Sequence, residues 1–321
     1  MKRRITVAQD TRLTIEEAFK EFITEKKALH KASKTMQGYA DNFRRWANFL
    51  DEQGRSKYIA DVDASFIVSY TAQCIDREMN PISINCYLRH IRAFVYWCAD
   101  KEYTKPIKIK LISEQEPIKK TYSEKEKLLL IRHPADSDSF VDWRTWAIVN
   151  WVLATGNRAG TVRNILMDDI NFSESEIFIR KTKANKSMIL PMSPALKKVM
   201  KEFIRKWRAD ASETDYLFPN VGNKPISENA LWDSYAKYCR DRGVKNTSIH
   251  AMRHTFAKDY IRNNGDVFRL QKILGHSTLE MTRRYVNMFS EDLKEDYERF
   301  SPLDTLKIPG NREQAIHRTD K

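Results

Sequence analysis

The stretch from Ser248 to Asn287 constrains the fold most, because its pattern predicts three short helical segments with abrupt stops between them. Apolar residues recur at helical spacing from Met252 to Ile261, and an Asn-Asn pair followed by Gly265 predicts the first stop. Asp266 is then the predicted N-cap of a second helix, which Gly275 ends. The polar side chains of this stretch are therefore expected at fixed places along three short helices.

Three histidines, an arginine and a tyrosine occupy distinctive positions in this stretch. The spacing of His250, Arg253 and His254 puts them on one face of the first helix. His276 lies in the tight turn before the third helix, where a glycine and a cap, rather than an apolar pattern, set its position. Tyr285 follows two turns into that helix.

Each of these residues also has a simpler interpretation. Tyr285 lies at helical spacing from two methionines, which by itself predicts a buried core tyrosine. His250 and His254 are one helical turn apart, as in some zinc sites. However, Ala251 stands where a metalloprotease carries its glutamate, so no metal site is predicted.

The composition indicates a globular protein with a polyanionic partner. The 321 residues suffice for two ordinary domains, and a hydrophobic content of 41% leaves ample material for cores. A net charge of +13 favours nucleic acid as that partner. The longest apolar run, Trp146 to Ala154, is too short to cross a bilayer, and the amino terminus lacks an apolar signal core. We therefore expect a cytoplasmic, nucleoid-associated protein with no membrane partner.

Helical patterns predict a compact amino-terminal domain of four helices over residues 11–102. Thr14 and Glu17 form a capping box for its first helix. Residues 103–122 contain two prolines and lysines that alternate with aliphatic residues, which predicts an extended, basic interdomain linker. Such a linker would let two domains clamp a duplex from opposite sides.

A second domain is predicted over residues 123–308, and Ser123 and Glu126 form a capping box for its first helix. Its patterns are helical except for two β-like runs, Glu176 to Arg180 and Ser187 to Pro191, which predict a hairpin around the turn KTKANK. Lys183 lies in that turn, where a lysine can reach into a groove. The predicted fold class is mainly α with a small antiparallel β-sheet, in which a helical amino-terminal bundle precedes an α+β domain.

An arginine begins the predicted segment after the longest apolar helix of this domain. That helix runs from about Phe140 to Ala154 and stops at Thr155-Gly156. Arg158 follows, at the start of a predicted helix whose apolar face extends to Leu166.

Six residues, in their order and local contexts, carry a resemblance to the tyrosine recombinase, or phage integrase, family. They are Arg158 in ATGNR, Lys183 in the hairpin turn, His250 and Arg253 as His-x-x-Arg in HAMRHTFA, His276 in LGHS and Tyr285 in RRY. In that family the histidine of the LGH turn precedes the nucleophilic tyrosine by nine residues, as it does here. The resemblance is close over the second domain and looser over the first. The length resembles the two-domain Xer-like and mobile-element integrases.

The resemblance implies a site-specific DNA recombinase or integrase. Such an enzyme breaks and rejoins double-stranded DNA through a covalent 3′-phosphotyrosyl intermediate. It implies a DNA-contacting core-binding domain at the amino terminus, a homotetramer on synapsed sites, and accessory DNA-bending proteins as candidate partners. No metal or nucleotide cofactor is implied, because the phosphotyrosyl bond stores the energy for religation.

Two arginines and one of two histidines are expected to bind the scissile phosphate. Arg158 and Arg253 would neutralise the negative charge that grows in the transition state, because a guanidinium is always charged and can hold two oxygens at once. His276, or His250, would add a hydrogen bond to the same oxygens.

The other roles concern proton transfer. Tyr285 is the implied nucleophile, and since a phenol has a pKa of about 10 it must lose its proton on attack. His250 is the candidate base, and Lys183 is the candidate general acid for the leaving 5′-oxygen. His254 is interpreted as a supporting, structural residue.

The chain departs from the family pattern at Thr161. Family members usually carry an acidic residue three positions after the first arginine, and its loss is expected to change the tuning of the site more than its chemistry. The acidic helix predicted after Tyr285, within residues 289–300, is expected to pack either on its own domain or on a neighbouring protomer. Residues 309–321 are expected to form a flexible tail.

Two other functions fit parts of the sequence. A type IB topoisomerase shares the chemistry, although the small separate first domain and the acidic terminal helix argue against it. A non-catalytic DNA-binding protein would use the short helices around Gly265 to Tyr285 as a helix-turn-helix. That alternative explains neither Arg158 nor the hairpin lysine.

Overall fold

The computed structural model describes residues 12–114, 119–180 and 187–288. By the density of contacts the chain divides into two compact units, Met1–Pro117 and Ile118–Lys321. Among the described residues, no helix combines the length and apolar character needed to cross a bilayer.

Four helices and one short 3-10 turn form the first unit. The helices are α1 Ile15–Ala28, α2 Ser33–Glu52, α3 Ala64–Asp76 and α4 Pro81–Asp100, and the turn is Ile59–Asp61. The predicted capping box of α1 is confirmed, since the backbone N–H of Glu17 donates to Thr14 Oγ1 and the Glu17 carboxylate accepts from the Thr14 N–H. The apolar faces meet in a core rich in aromatic rings, with Phe22 and Trp46 fully buried.

The first unit holds much of the segment that was expected to be a linker. Ile109 is buried in its core. The backbone N–H of Ile112 donates to Asn85 Oδ1 at 2.9 Å, and Asn85 Nδ2 donates to the Ile112 carbonyl at 2.9 Å. Residue Tyr122, at the other end, is buried in the second unit. The aliphatic residues that alternate with lysines explain the difference, because they cover apolar surface instead of facing water.

Helices also dominate the second unit. The bounds of its described elements are α5 Glu124–Ile131, α6 Phe140–Thr155, α7 Ala159–Val162, a 3-10 turn Met167–Asp169, β1 Ile170–Asn171, β2 Glu176–Ile179, β3 Met188–Pro191, α8 Pro194–Trp207, α9 Glu228–Asp241, α10 Ile249–Arg262, α11 Val267–Leu274 and α12 Leu279–Met288. Helix α6 is the centre of the core and packs against α8, α9 and α10. The capping box predicted at Ser123 and Glu126, which begins α5, is confirmed.

The helix expected after Arg158 is much shorter than its pattern predicts. Helix α7 is a single turn, Ala159–Val162, so Ile165 and Leu166 lie beyond it. The backbone then pairs with a later loop, since the N–H of Leu217 donates to the Ile165 carbonyl at 2.8 Å. This long-range pairing competes with continuation of the helix, and a local pattern cannot reveal it.

The sheet has the antiparallel order β1-β2-β3. Ile177 and Ile179 alternate into the core while Phe178 is exposed, as period-two patterning requires. Just beyond β2, Arg180 Nε donates to Asp169 Oδ1 at 2.6 Å, and Asp169 is only 2% exposed. The turn of the hairpin, including Lys183, lies outside the described residues.

The last three helices match the expected pattern with one correction at the first stop. Asn264, with φ of 57°, takes the left-handed conformation after α10, whereas Gly265 does not have a positive φ. A Cβ on Gly265 would lie 2.5 Å from the carbonyl oxygen of Tyr260, so glycine is needed there for close approach. Side chains from α10, α11 and α12 share a small core, made by Ala257, Leu270, Leu274 and Tyr285.

Candidate active site

Four of the six predicted residues converge between the start of α7, the helix α10, the turn after α11 and the helix α12. They are Arg158, Arg253, His276 and Tyr285, which are joined by hydrogen bonds and by a stack of two rings. His250 lies one turn before Arg253 at the open side of α10, and Lys183 lies outside the described residues.

Arg253 is buried, with 5% of its surface exposed. Its Nη1 donates to the Gly156 carbonyl at 2.7 Å, and its Nη2 donates to the Leu274 carbonyl at 2.9 Å and to His276 Nε2 at 2.9 Å. Burial lowers the pKa of the guanidinium to about 10, and the nearby charge of Arg158 acts in the same direction.

Arg158 shares an acceptor with Arg253. Its Nη1 donates to the same Leu274 carbonyl at 3.3 Å, and burial lowers its pKa. Among the residues that the structure describes, neither arginine forms an ion pair with a carboxylate. Two neighbouring cations are thus held mainly by backbone carbonyls, at the carboxyl end of α11 where the helix dipole favours positive charge.

The hydrogen bonds of His276 define its protonation. A guanidinium can only donate, so His276 Nε2 accepts from Arg253 and the ring proton lies on Nδ1. That nitrogen is 2.8 Å from Oγ1 of Thr282, which is fully buried. Burial lowers the pKa of His276 to about 4, with further contributions from Arg253, Arg158 and Lys119, so the imidazole is neutral near pH 7. Nε2 therefore has no proton to give to a phosphate unless a second proton is taken up.

Tyr285 packs its ring into the small core and directs its oxygen into the site. The side chain is 3% exposed, and its ring stacks on that of His276 with an interplanar angle of 4°. Burial raises the pKa of the phenol, while the charges of Arg253 and Arg158 oppose this shift. The interpretation as a core tyrosine and the interpretation as a functional one are therefore compatible, because ring and hydroxyl occupy different surroundings.

Two further residues lie at the phenol, and the sequence indicated a catalytic role for neither of them. His254 Nδ1 is 2.8 Å from the Tyr285 hydroxyl, and Lys119 Nζ lies 4.6 Å from the centre of the Tyr285 ring. The spacing of His254 within α10 gave a signal, since it shares a face with His250 and Arg253, but it was interpreted as structural. Lys119 is far from Tyr285 in sequence, so only the fold brings the two together.

His250 stands on a more open surface than His254. Its side chain is exposed, and its ring meets Trp232 of α9 edge to face, with centroids 6.3 Å apart. Both rings line an open groove that also contains Lys120 and Lys245. A substrate can reach His250 from this groove without displacing protein.

Known proteins share both the sequence pattern and the fold. The sequence model of the phage integrase family matches residues 121–291. The tyrosine recombinase XerD of Staphylococcus aureus (strain Mu50 / ATCC 700699) is 25% identical over 297 residues, which are 90% of this chain and 99% of XerD. A λ integrase tetramer bound to a Holliday junction gives a TM-score of 0.67 at 16% identity, over 86% of this chain and 78% of that one. The XerH site-specific recombinase, in a post-cleavage complex with a palindromic difH substrate, gives a TM-score of 0.68 at 16% identity, over 90% of each chain.

Because the family model covers more than half of its length, the chain belongs to the phage integrase family. The predicted fold class is confirmed, and so is the prediction of a tyrosine-type site-specific DNA recombinase.

Proposed function

We propose that this chain breaks and rejoins double-stranded DNA through a covalent bond between Tyr285 and a 3′-phosphate. The observation that carries the proposal is the pair Arg158 and Arg253, two cations on one carbonyl with no carboxylate partner among the described residues. Buried cations are costly unless an anion accompanies them. The site is thus suited to an anionic group, and a phosphodiester next to Tyr285 would supply one.

In the proposed reaction the two arginines hold the nonbridging oxygens of the scissile phosphate. The transition state carries more negative charge than the ground state, so preorganised donors stabilise it selectively. His250 from the open groove adds a hydrogen bond, and His276 adds another once it is protonated. An arriving phosphate would raise the pKa of His276 through its negative charge.

The bonds exchanged balance without an outside energy source. The Tyr285 oxygen bonds to phosphorus as the 5′-oxygen leaves, and Lys183 is proposed to give that oxygen its proton. In the second step a 5′-hydroxyl attacks the phosphotyrosyl bond and releases the phenol. Recombination follows when that hydroxyl belongs to the partner DNA.

A nicked duplex tests the central step. Covalent capture from a pool of nicked duplexes with a randomised centre would recover the target site, because the short fragment beyond the cut diffuses away and the adduct accumulates. We expect an adduct that survives denaturation with the natural chain and none with Tyr285→Phe, which keeps the ring but lacks the nucleophile. DNA binding without any adduct would contradict the proposal. An adduct with relaxation of supercoils but no strand exchange would indicate a topoisomerase.

We further propose that four copies act together on two synapsed sites, with accessory DNA-bending proteins directing them at the nucleoid. The tetrameric λ integrase of the same fold supports this arrangement. The predicted acidic helix, which lies outside the described residues, is the proposed contact between protomers. Deleting residues 289–321 is expected to abolish synapsis and strand exchange while binding to a single half-site persists. Gel shifts with half-site and full-site DNA would measure both, and unchanged recombination would contradict docking between protomers.

A further inference from the structure

The imidazole that touches the reacting oxygen of Tyr285 belongs to His254. Its Nδ1 lies 2.8 Å from the phenolic oxygen, within ordinary hydrogen-bonding distance, and the two rings are tilted with centroids 5.6 Å apart. The residue is half-buried on α10, on the side that faces α12.

Positive and polar groups face His254 from three elements. Tyr285 comes from α12, Lys119 from the segment before α5, and His250 and Arg253 from α10 itself. Burial lowers the pKa of His254 to about 4, and the charges of Lys119, His250 and Arg253 add to the effect. The imidazole is therefore neutral near pH 7 and has one nitrogen free of a proton.

The segment that carries Lys119 is fixed to the same helix. The backbone N–H of Tyr122 donates to Thr255 Oγ1 at 2.8 Å, and the Tyr122 hydroxyl donates to the carbonyls of Asn246 and Ser248. This anchoring holds Lys119 over the ring of Tyr285. The electrostatic surroundings of the phenol and of His254 are thus set by packed protein.

We propose that His254 accepts the phenolic proton of Tyr285 during attack on the scissile phosphate, a role that rests on the function proposed above. As the bond between the Tyr285 oxygen and phosphorus forms, the proton moves from that oxygen to His254 Nδ1. The electron pair of the broken bond to phosphorus stays on the 5′-oxygen, which takes a proton from the general acid. In religation His254 returns its proton to the departing phenol, so the group ends as it began.

Binding of DNA makes His254 a stronger base. Without DNA, the surrounding positive charges disfavour the imidazolium form and so weaken His254 as a base. The scissile phosphate brings negative charge against Arg253 and Lys119, which offsets their effect and raises the proton affinity of His254.

The test compares His254→Asn with wild type and with the matched variant His250→Asn, one turn earlier on the same helix. Asparagine can place an acceptor oxygen near the position of Nδ1 but cannot take a proton, so it preserves a holding role and removes a base. Adduct formation is followed on the captured nicked duplex and on the same duplex with sulfur at the leaving 5′-position. A thiolate leaves without a proton, so that substrate bypasses the general acid. Circular dichroism and DNA affinity check folding and binding.

We expect His254→Asn to form adduct about 100-fold more slowly than wild type on both substrates. Its rate should rise with pH through the neutral range, by about tenfold per pH unit, because the phenol must then ionise unaided. Wild type and His250→Asn should keep the flatter profile of an internal base.

Three results would overturn the proposal while leaving the recombinase function intact. The first is a rate of adduct formation by His254→Asn within about threefold of wild type. The second is a pH profile of that variant like that of wild type. The third is that the sulfur substrate restores the rate of His254→Asn, which would show that His254 acts as the general acid. A failure of the function itself is distinct, since wild type would then bind the pool and form no adduct.

Discussion

At His276 the hydrogen bonds determine which ring nitrogen carries the proton. One of the two partners, Thr282, lies outside the sequence motif. The buried hydroxyl of Thr282 faces Nδ1, and Arg253 occupies Nε2. The motif LGHS identified the histidine but contains no information on its tautomer. The partner lies on the next helix, three residues before Tyr285.

Thr282→Val should weaken adduct formation by about tenfold, because it leaves a buried N–H without its acceptor and frees the imidazole to reorient. Valine has nearly the same shape as threonine, so packing is kept. Thr282→Ser is the matched control, since it retains the hydroxyl, and it should stay near the wild-type rate. Single-turnover cleavage of the nicked duplex measures both, and equal rates for valine and serine would exclude a role for this bond.

The choice of the proton acceptor for Tyr285 also depends on single residues. His250 and His254 are one turn apart, and the sequence favoured His250 as the base because it belongs to the His-x-x-Arg motif. In the structure His254 contacts the phenol and His250 lines an open groove. Four residues along a helix give a net rotation of only about 40° but a rise of about 6 Å, so the two rings share a face and differ in their position along α10. The motif does not say which position along the helix meets Tyr285.

At the scale of elements, the end of α6 positions Arg253. Gly156 closes that helix with φ of 64°, and its carbonyl accepts from Arg253 Nη1 at 2.7 Å. A Cβ at this position would lie 2.4 Å from Phe256 Cδ1, a contact that real structures do not tolerate. One glycine thus lets the chain turn towards Arg158 and lets α10 approach.

Gly156→Ala should lower the free energy of unfolding by about 1–3 kcal/mol, because alanine is strained at positive φ and would push Phe256 away. The displaced carbonyl should also slow adduct formation. Denaturant unfolding of the full chain measures the first effect.

Gly160→Ala is the control for that measurement. Gly160 lies on α7 with nothing within 4 Å of an added Cβ. Alanine should therefore be neutral there or stabilising by about 0.5–1 kcal/mol. Equal losses at the two positions would contradict the geometric explanation.

At the scale of the whole molecule, two histidines that are neutral in the folded protein make its stability depend on pH. The folded pKa of His254 and of His276 is about 4, below the ordinary value of 6.5. Between these values the unfolded chain binds more protons than the folded chain, so protonation favours unfolding. The stabilisation is complete above about pH 6.5 and is lost as the pH falls towards 4.

The midpoint of thermal unfolding should therefore fall between pH 7 and pH 5 by more in wild type than in a double variant His254→Gln, His276→Gln. Glutamine does not titrate, and carboxylates elsewhere contribute equally to both proteins. Both histidines are partly exposed, so the effect is smaller than the full pKa shifts would give. Differential scanning calorimetry at several pH values measures the two slopes, and parallel curves would show that these histidines do not titrate abnormally.

Local patterns in the sequence were sufficient to predict the helices and the class of chemistry. Capping boxes, apolar periodicity and glycine stops depend on neighbours within a few residues, so α1, α5 and the three last helices could be placed without a structure. The family was recognised from six residues in order and in their local contexts, which are read directly from the chain. Where a distant segment competed, as for the strand-like pairing of Ile165 with Leu217, the local pattern predicted too long a helix.

The contacts between residues distant in sequence, in contrast, depend on the tertiary structure. The Leu274 carbonyl accepts hydrogen bonds from both Arg158 and Arg253, and Lys119 lies over the ring of Tyr285. Arg158 and Leu274 are more than a hundred residues apart in the sequence, and so are Lys119 and Tyr285. Burial then keeps the imidazoles of His254 and His276 neutral near pH 7. These properties depend on distances and on exclusion of water, and both arise from packing of the whole second unit.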